Sequence, residues 1–278
     1  MPQIINTNIA TLNAQRNLNT SQGALHMALE RLSSGLRVNS AKDDAAGLSI
    51  ATRMTAQSRG MSVAIRNAND GISLAQTAEG ALGQIRDHLM RMRDLAVQSA
   101  NATNTAGDRS ALNAEFSQLQ AEVARIIVQT KFNGKEIVGA SAGSNEFQVG
   151  ANAGEKVTVT TTNLSANTDF LSVINNLSIG ITVDRASEAL IQLDVALITL
   201  NAERSTLGAA QSRFEGIISM LQIARENQTA AASRIMDADY AAETASLTRT
   251  QILQQAGTAM LAQANALPNN VLSLLRNG

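Results

Sequence analysis

From the N-terminus, Ile4, Thr11, Leu18, Leu25 and Leu32 stand seven residues apart, with Ile9, Leu12 and Leu29 beside them. That spacing predicts one apolar stripe on a long helix, interrupted by the polar Thr11. Gly35 is placed to end it, and the LRVNSAKDDAAG that follows is polar and turn-rich. A second run, Leu74, Ala78, Ala81, Leu82, Ile85, Leu89, Met92, Leu95 and Ala96, steps by threes and fours and predicts a long amphipathic helix. A third carries Leu112, Phe116, Leu119, Val123 and Ile126 on one face and ends near FNGKE. Between residues 145 and 162 the period changes to two, as NEFQVG and KVTVTTT alternate apolar and polar positions across GANAGE. This is a β-hairpin pattern.

The strongest periodicity lies further on, where Leu193, Leu200, Leu207, Phe214 and Leu221 recur every seven residues without an internal Pro. A sustained heptad predicts a helix that lies along another helix. Burying five such side chains contributes roughly 8–15 kcal/mol as an upper bound, before chain entropy is subtracted. From Asp239 onward the chain is helix-compatible, but the stripe expected there, Ala245, Ile252, Ala256, Ala259 and Leu261, is small and flanked by Gln and Thr. Ordering each residue costs about 1–2 kcal/mol of backbone entropy, which so sparse a face does not repay alone. Both ends are therefore expected to be disordered in the monomer and to fold only against each other and their neighbours.

Composition strengthens the helical reading. Hydrophobic residues make up 44% of the 278, yet aromatics only 2%, with no Trp. Side-by-side helices can be packed with Leu, Ile and Ala, whereas a compact globule fills irregular space with rings. The fold expected is mainly α: an elongated bundle or coiled coil of long helices formed by the N- and C-terminal segments, with a small β-hairpin region in the middle. The net charge of -1 excludes a general pull toward nucleic acid or anionic membrane. Residues 251–275 carry no charge, but their Gln and Asn side chains are too costly to bury in hydrocarbon, so no membrane insertion is expected. The N-terminus has neither the basic and apolar regions nor the cleavage site of a signal peptide.

Candidate chemistry is sparse. There is no Cys, which removes thiolate metal sites and cysteine nucleophiles. His26 and His88 fall in separate helices without ligand spacing. Asp43 with Asp44, and Asp237 with Asp239, stand near helix starts, where carboxylates are more economically read as caps than as a cation site. FNGKE lacks the preceding glycine of a phosphate loop. No catalytic, metal or cofactor residues are assigned, and no enzyme activity is expected.

Four longer stretches carry a family resemblance. ERLSSGLRVNSAKDDAAGLSIA (residues 30–51), followed by RNANDGISLAQTAEGAL and RMRDLAVQSAN, resembles the N-terminal region of bacterial flagellins. RIMDADYAAETASLTRTQILQQAGTAMLAQANALPNNVLSLLR resembles their C-terminal region. The resemblance implies a subunit that self-assembles into the helical flagellar filament used for swimming, exported unfolded through the flagellar type III system to the cell exterior. It implies a terminal coiled-coil inner-core domain of residues 1–42 plus 236–278, a helical-bundle domain of 43–140 plus 180–235, and a residual variable region of 141–179. The outer variable domains of longer family members are expected to be absent. The related hook–filament junction protein is the nearest alternative; the full C-terminal run favours flagellin.

The same resemblance assigns roles by position. Leu18, Leu25, Leu32, Ile252, Leu261, Leu272 and Leu275 are expected to serve polymerisation and core packing. Leu247, Leu253, Ile252, Leu261, Leu272 and Leu275 are also candidates for contact with an export chaperone on the C-terminal helix. Other partners implied are further copies of the chain, the filament cap and hook–filament junction proteins, and host flagellin receptors. Arg91, Leu95 and Glu115 match an animal-receptor surface, although Met90 replaces the usual Gln. Asn39, Ser40, Lys42, Asp43, Asp44 and Gly47 match a plant-receptor epitope that differs elsewhere, most at Leu36 and Ser49. Subunit packing is the simpler role for both surfaces.

Overall fold

The computed structural model describes residues 7–180 and 182–276, with only the backbone for 267–276. Its elements run α1 (Ile9–Ser34), α2 (Ala45–Ser99), α3 (Ala106–Gln129), β1 (Lys131–Phe132), β2 (Lys135–Glu136), β3 (Ser144–Gln148), β4 (Lys156–Thr160), α4 (Thr168–Leu171), a π-helical turn (Ser172–Asn176), α5 (Val183–Met236) and α6 (Tyr240–Arg276). The chain divides into two compact units, residues 1–56 with 227–278 and residues 57–226.

In the first unit, local chemistry sets the helix ends. Asn8 caps α1, its side chain accepting from the Thr11 N–H at 3.1 Å. Gly35 ends the helix at φ 71°, where its N–H reaches the Arg31 carbonyl. The chain then runs against the α5–α6 junction: Arg37 N–H donates to the Met236 carbonyl at 2.6 Å and Ala238 N–H to the Gly35 carbonyl at 2.9 Å. Asp44 starts α2 by accepting the Gly47 N–H at 2.8 Å, and Asp239 starts α6 by accepting from Ala241 and Ala242. Three of these stops and starts rest on Gly35, Asp44 and Asp239, residues whose turn and capping chemistry is visible in the sequence.

The second unit holds the large apolar core. The heptad of α5 is buried throughout at Leu193, Leu200, Leu207, Phe214 and Leu221, and α2 faces it with Leu82, Ile85, Leu89 and Met92. Thr105 and Asp108 form a capping box at the start of α3, whose buried face carries Phe116, Gln120, Val123 and Ile127. α2 begins nearly thirty residues before the Leu74 run that announces it. Over that stretch its inward positions are Gly47, Ala51, Ala64, Ala68 and Gly71, small enough to leave little hydrophobic signal.

β3 and β4 pair antiparallel from Ser144↔Thr160 to Gln148↔Lys156, as the period-two pattern requires. Val157 and Val159 point into the core, and Phe147 meets Phe214 edge-on with ring centroids 5.6 Å apart. Gly71 admits that ring, since a Cβ there would stand 2.6 Å from its tip. A second, minimal hairpin at FNGKE pairs β1 with β2 through two residues each. Residues 163–180, which show no period, bury Leu164, Phe170, Val173 and Ile179 in the core and have their backbone held by polar side chains. Gln120 donates to the Val173 and Leu177 carbonyls at 2.6 and 2.9 Å, Ser99 donates to Ile179, and the Asn113 side chain accepts from Ile179 N–H at 2.9 Å. Gln120 thereby occupies carbonyls that the π-helical turn leaves free.

Candidate assembly surface

α1 and α6 lie antiparallel in the first unit. The pairing is fixed at its far end by the Asn8 side chain donating to the Ala264 carbonyl at 2.8 Å and by Thr11 to Asn265 at 3.0 Å. At its near end Arg31 meets Glu243 at 3.0 Å and the Tyr240 hydroxyl donates to the Leu32 carbonyl at 3.1 Å. Between them Leu18 rests on Gly257, where a Cβ would come within 3.1 Å of its Cδ1. The same register brings Leu25 level with Thr250, Leu247 with Ala28 and Leu261 with Ala14. A large side chain on one helix therefore meets a small one on the other along the seam, which lets two backbones approach closely.

This seam corrects the stripe expected for α6. Ala245, Ile252, Ala256 and Ala259 are exposed, and only Leu261 of that set is half-buried. The inward positions are Glu243, Leu247, Thr250, Gln254, Gly257, Leu261 and Ala264, a heptad whose first place is filled by polar or small residues. The spacing of Leu247 and Leu261, with Gly257 between, is the signal that points to it. Leu18, Leu25 and Leu32 do face the partner helix and are half-buried. Ile252 is 60% exposed, and Leu253 and Met260 are exposed along the groove that α6 forms with Ala14 and Leu18 of α1. Ile9, Leu12, Met27 and Leu29 are likewise exposed on α1. Leu272 and Leu275 lie beyond the described side chains.

In the second unit Arg91 on α2 and Glu115 on α3 are brought together in a two-pronged ion pair at 2.7 and 2.9 Å, both exposed. Leu95 is not on that surface: it is 1% exposed and belongs to the core, because it shares the inward stripe of Leu89, Met92 and Ala96. In the same stretch of α2, Met90 and Val97 flank Arg93, whose guanidinium meets Asp194 of α5 at 2.7 Å. Ile191, Val195 and Ile198 stand exposed beside Asp194. Five aliphatic side chains thus surround one ion pair on the open face.

The segment linking α1 to α2 is built on carboxylates. Asp43 accepts from the Asn39 and Ser40 N–H groups and the Ser40 hydroxyl, and these bonds hold its carboxyl below the usual range. Asn39 donates to Glu30 at 2.8 Å. Asn39, Ser40, Lys42, Asp43 and Asp44 are exposed, while Gly47 is buried under Asp44, whose carboxylate occupies the space of a Cβ. Both aspartates are spent on turn and cap. Among the described residues no three His, Asp or Glu side chains gather where they could hold a metal ion, and no helix is long and apolar enough to cross a membrane.

Comparison with known proteins agrees with this arrangement. Residues 5–142 match the bacterial flagellin N-terminal helical region and residues 190–275 the C-terminal helical region. The chain is 46% identical to a flagellin of Halalkalibacterium halodurans over 275 residues, covering 98% of this chain and all of that one. It is 36% identical to flagellin A of Vibrio cholerae over 98% of this chain and 99% of that one. That alignment takes 375 positions, so the Vibrio protein carries insertions this chain lacks. Among solved structures, Bacillus cereus flagellin superposes with a TM-score of 0.51 at 31% identity, covering 56% of this chain and 88% of that one. With both helical regions matched in order and a short relative aligned end to end, the chain belongs to the bacterial flagellin family, in a short form.

Proposed function

We propose that this flagellin, a structural subunit of the flagellar filament, polymerises chiefly through the outer faces of α1 and α6. The observation that carries the reading is the distribution of apolar residues in the first unit. The seam between the two helices leaves Leu18, Leu25, Leu32, Leu247 and Leu261 only half-buried, while Ile9, Leu12, Leu29, Ile252, Leu253 and Met260 are exposed. A helix pair that leaves this many large apolar side chains exposed is completed by further copies of itself. Side chains of this size contribute about 1.5–3 kcal/mol each when fully buried, enough to order ends that the monomer holds weakly. The open patch around Arg93 and Asp194 supplies a second contact between subunits.

The remaining roles follow from the same reading. The chain acts without catalysis, since its carboxylates serve caps and ion pairs. It leaves the cell unfolded through the flagellar type III channel, works outside the cell, and meets the filament cap and the hook–filament junction proteins at the filament's ends. Before export a chaperone covers the α6 face bearing Leu247, Ile252, Leu253 and Leu261, and the segment through Leu272 and Leu275. Host receptors read Arg91 with Glu115, or residues 39–47, from surfaces that serve packing first; Leu95 supports such a surface from beneath.

Salt- or seed-induced polymerisation of the purified full chain, viewed by electron microscopy, tests the function. Long filaments from the full chain and none after deletion of residues 259–278 are expected. Short stubs that do not grow would instead indicate a junction protein.

A further inference from the structure

We propose that Asn133 is a site of spontaneous deamidation, set up by the two-residue turn between β1 and β2. Asn133 and Gly134 form that turn, with φ of 49° and 81°, and Asn133 is the one non-glycine residue at positive φ among the described residues. Both are exposed. The Asn133 carboxamide makes no hydrogen bond to the described residues, and neither does the Gly134 N–H at the tip. Gly134 carries no side chain to hinder attack, and the space where one would stand is open. Lys131 and Lys135 are exposed on either side and favour the negative charge that develops on the attacking nitrogen. Only two residue pairs close the hairpin, Lys131↔Glu136 and Phe132↔Lys135, so local opening brings the reacting atoms together at small cost.

In the reaction the Gly134 backbone nitrogen gives up its proton and bonds to Cγ of Asn133. The Cγ–Nδ2 bond breaks and ammonia leaves, giving a succinimide. Water then opens the ring at either carbonyl, producing aspartate or isoaspartate. The two products differ in consequence. Asp-Gly suits this turn as well as Asn-Gly and adds only one negative charge. Isoaspartate lengthens the backbone by a CH2 group and breaks the two-residue register, loosening Ile137 and Val138, which are buried just beyond β2.

The test is incubation of the folded, full-length protein at neutral and alkaline pH, followed by peptide mapping by mass spectrometry and enzymatic labelling of isoaspartate. Asn152 is the internal control. It also sits in an exposed turn, but it precedes Ala153 and its side chain is held by Glu155 at 2.9 Å. Asn133 is expected to convert about ten-fold faster than Asn152, a barrier difference near 1.4 kcal/mol, and faster still as pH rises. Asn133→Gln abolishes the isoaspartate on that peptide, and Lys131→Gln with Lys135→Gln slows its formation. Peptide mapping keeps this site apart from Asn277–Gly278, the other Asn-Gly of the sequence. Conversion of Asn133 no faster than Asn152 in the folded protein, or conversion only in urea, overturns the proposal.

Discussion

Gly71 tests the core where its geometry is tightest. A Cβ at this position would stand 2.6, 2.8 and 3.2 Å from Cζ, Cε2 and Cε1 of Phe214. The ring has little room to retreat, because it is fully buried and packs edge-on against Phe147. Overpacking a core by one methyl costs typically 1–3 kcal/mol, and replacing a mid-helix glycine by alanine returns about 0.5–1 kcal/mol of helix propensity. Gly71→Ala is therefore expected to destabilise the second unit by about 1–2 kcal/mol. In a Phe214→Leu background the ring atoms that cause the clash are gone, so the same substitution should become neutral or stabilise by up to about 1 kcal/mol. The change of sign makes the experiment decisive, since it does not depend on the absolute cost of Phe214→Leu. Tyrosine fluorescence is no help here: the sole tyrosine, Tyr240, lies in the other unit and there is no Trp. Hydrogen exchange of the α2 amides around residue 71, measured in all four proteins of the cycle, reports the local free energy instead. Equal destabilisation by Gly71→Ala in both backgrounds would falsify the assignment of Gly71 as the space for the Phe214 ring.

Further outcomes follow from other contacts. Leu95→Ala should cost about 2–5 kcal/mol as a core truncation, whereas Arg91→Ala, which breaks an exposed ion pair, should cost under about 1 kcal/mol; thermal unfolding of both variants separates buried from surface roles. The carboxyl of Asp108 is held below its ordinary 3.8 by the hydroxyl and N–H of Thr105. A depressed carboxylate stabilises the fold above its unfolded value and ceases to do so as pH falls through the folded value. The start of α3 should thus fray below about pH 4, seen as faster exchange of the Asp108 N–H, with the pH dependence lost in Asp108→Asn. Gly257→Val should force α1 from α6 at Leu18, abolishing filaments while leaving α5 exchange unchanged; normal filaments from this variant count against the seam.

The extent to which the sequence announces this structure depends on side-chain size. The inward face of α5 is legible, because five large residues at heptad spacing all go inside. The β3–β4 hairpin is equally plain, its alternation placing Val157 and Val159 in the core. Ends are legible where capping chemistry is explicit, as at Gly35, Asp44 and Asp239. The first half of α2 is not, since alanines bury too little to mark a face. Nor is the inward side of α6: the eye follows Ile252 and the alanines, but the helix turns Gly257 and Thr250 inward because Leu18 and Leu25 need space opposite. Leu95 shows the same limit from the other side. A matching motif position names a residue, and burial alone decides that its side chain supports a surface instead of forming it. Residues 163–180 are opaque because tertiary partners, Gln120, Ser99 and Asn113, replace a ladder of their own.

The claim that assembly runs through the outer faces of α1 and α6 is tested most directly by seeded polymerisation of Ile252→Asp with Leu253→Asp. Both side chains are exposed in the subunit, and neither belongs to the second unit, so the variant monomer should keep that unit intact by hydrogen exchange. Burying two carboxylates against a neighbouring copy carries a desolvation cost of several kcal/mol each, well above the attraction the two aliphatics supplied. The account predicts that wild-type seeds stop growing when fed this variant, while the wild-type chain elongates them. Filaments of normal length from the variant would contradict it.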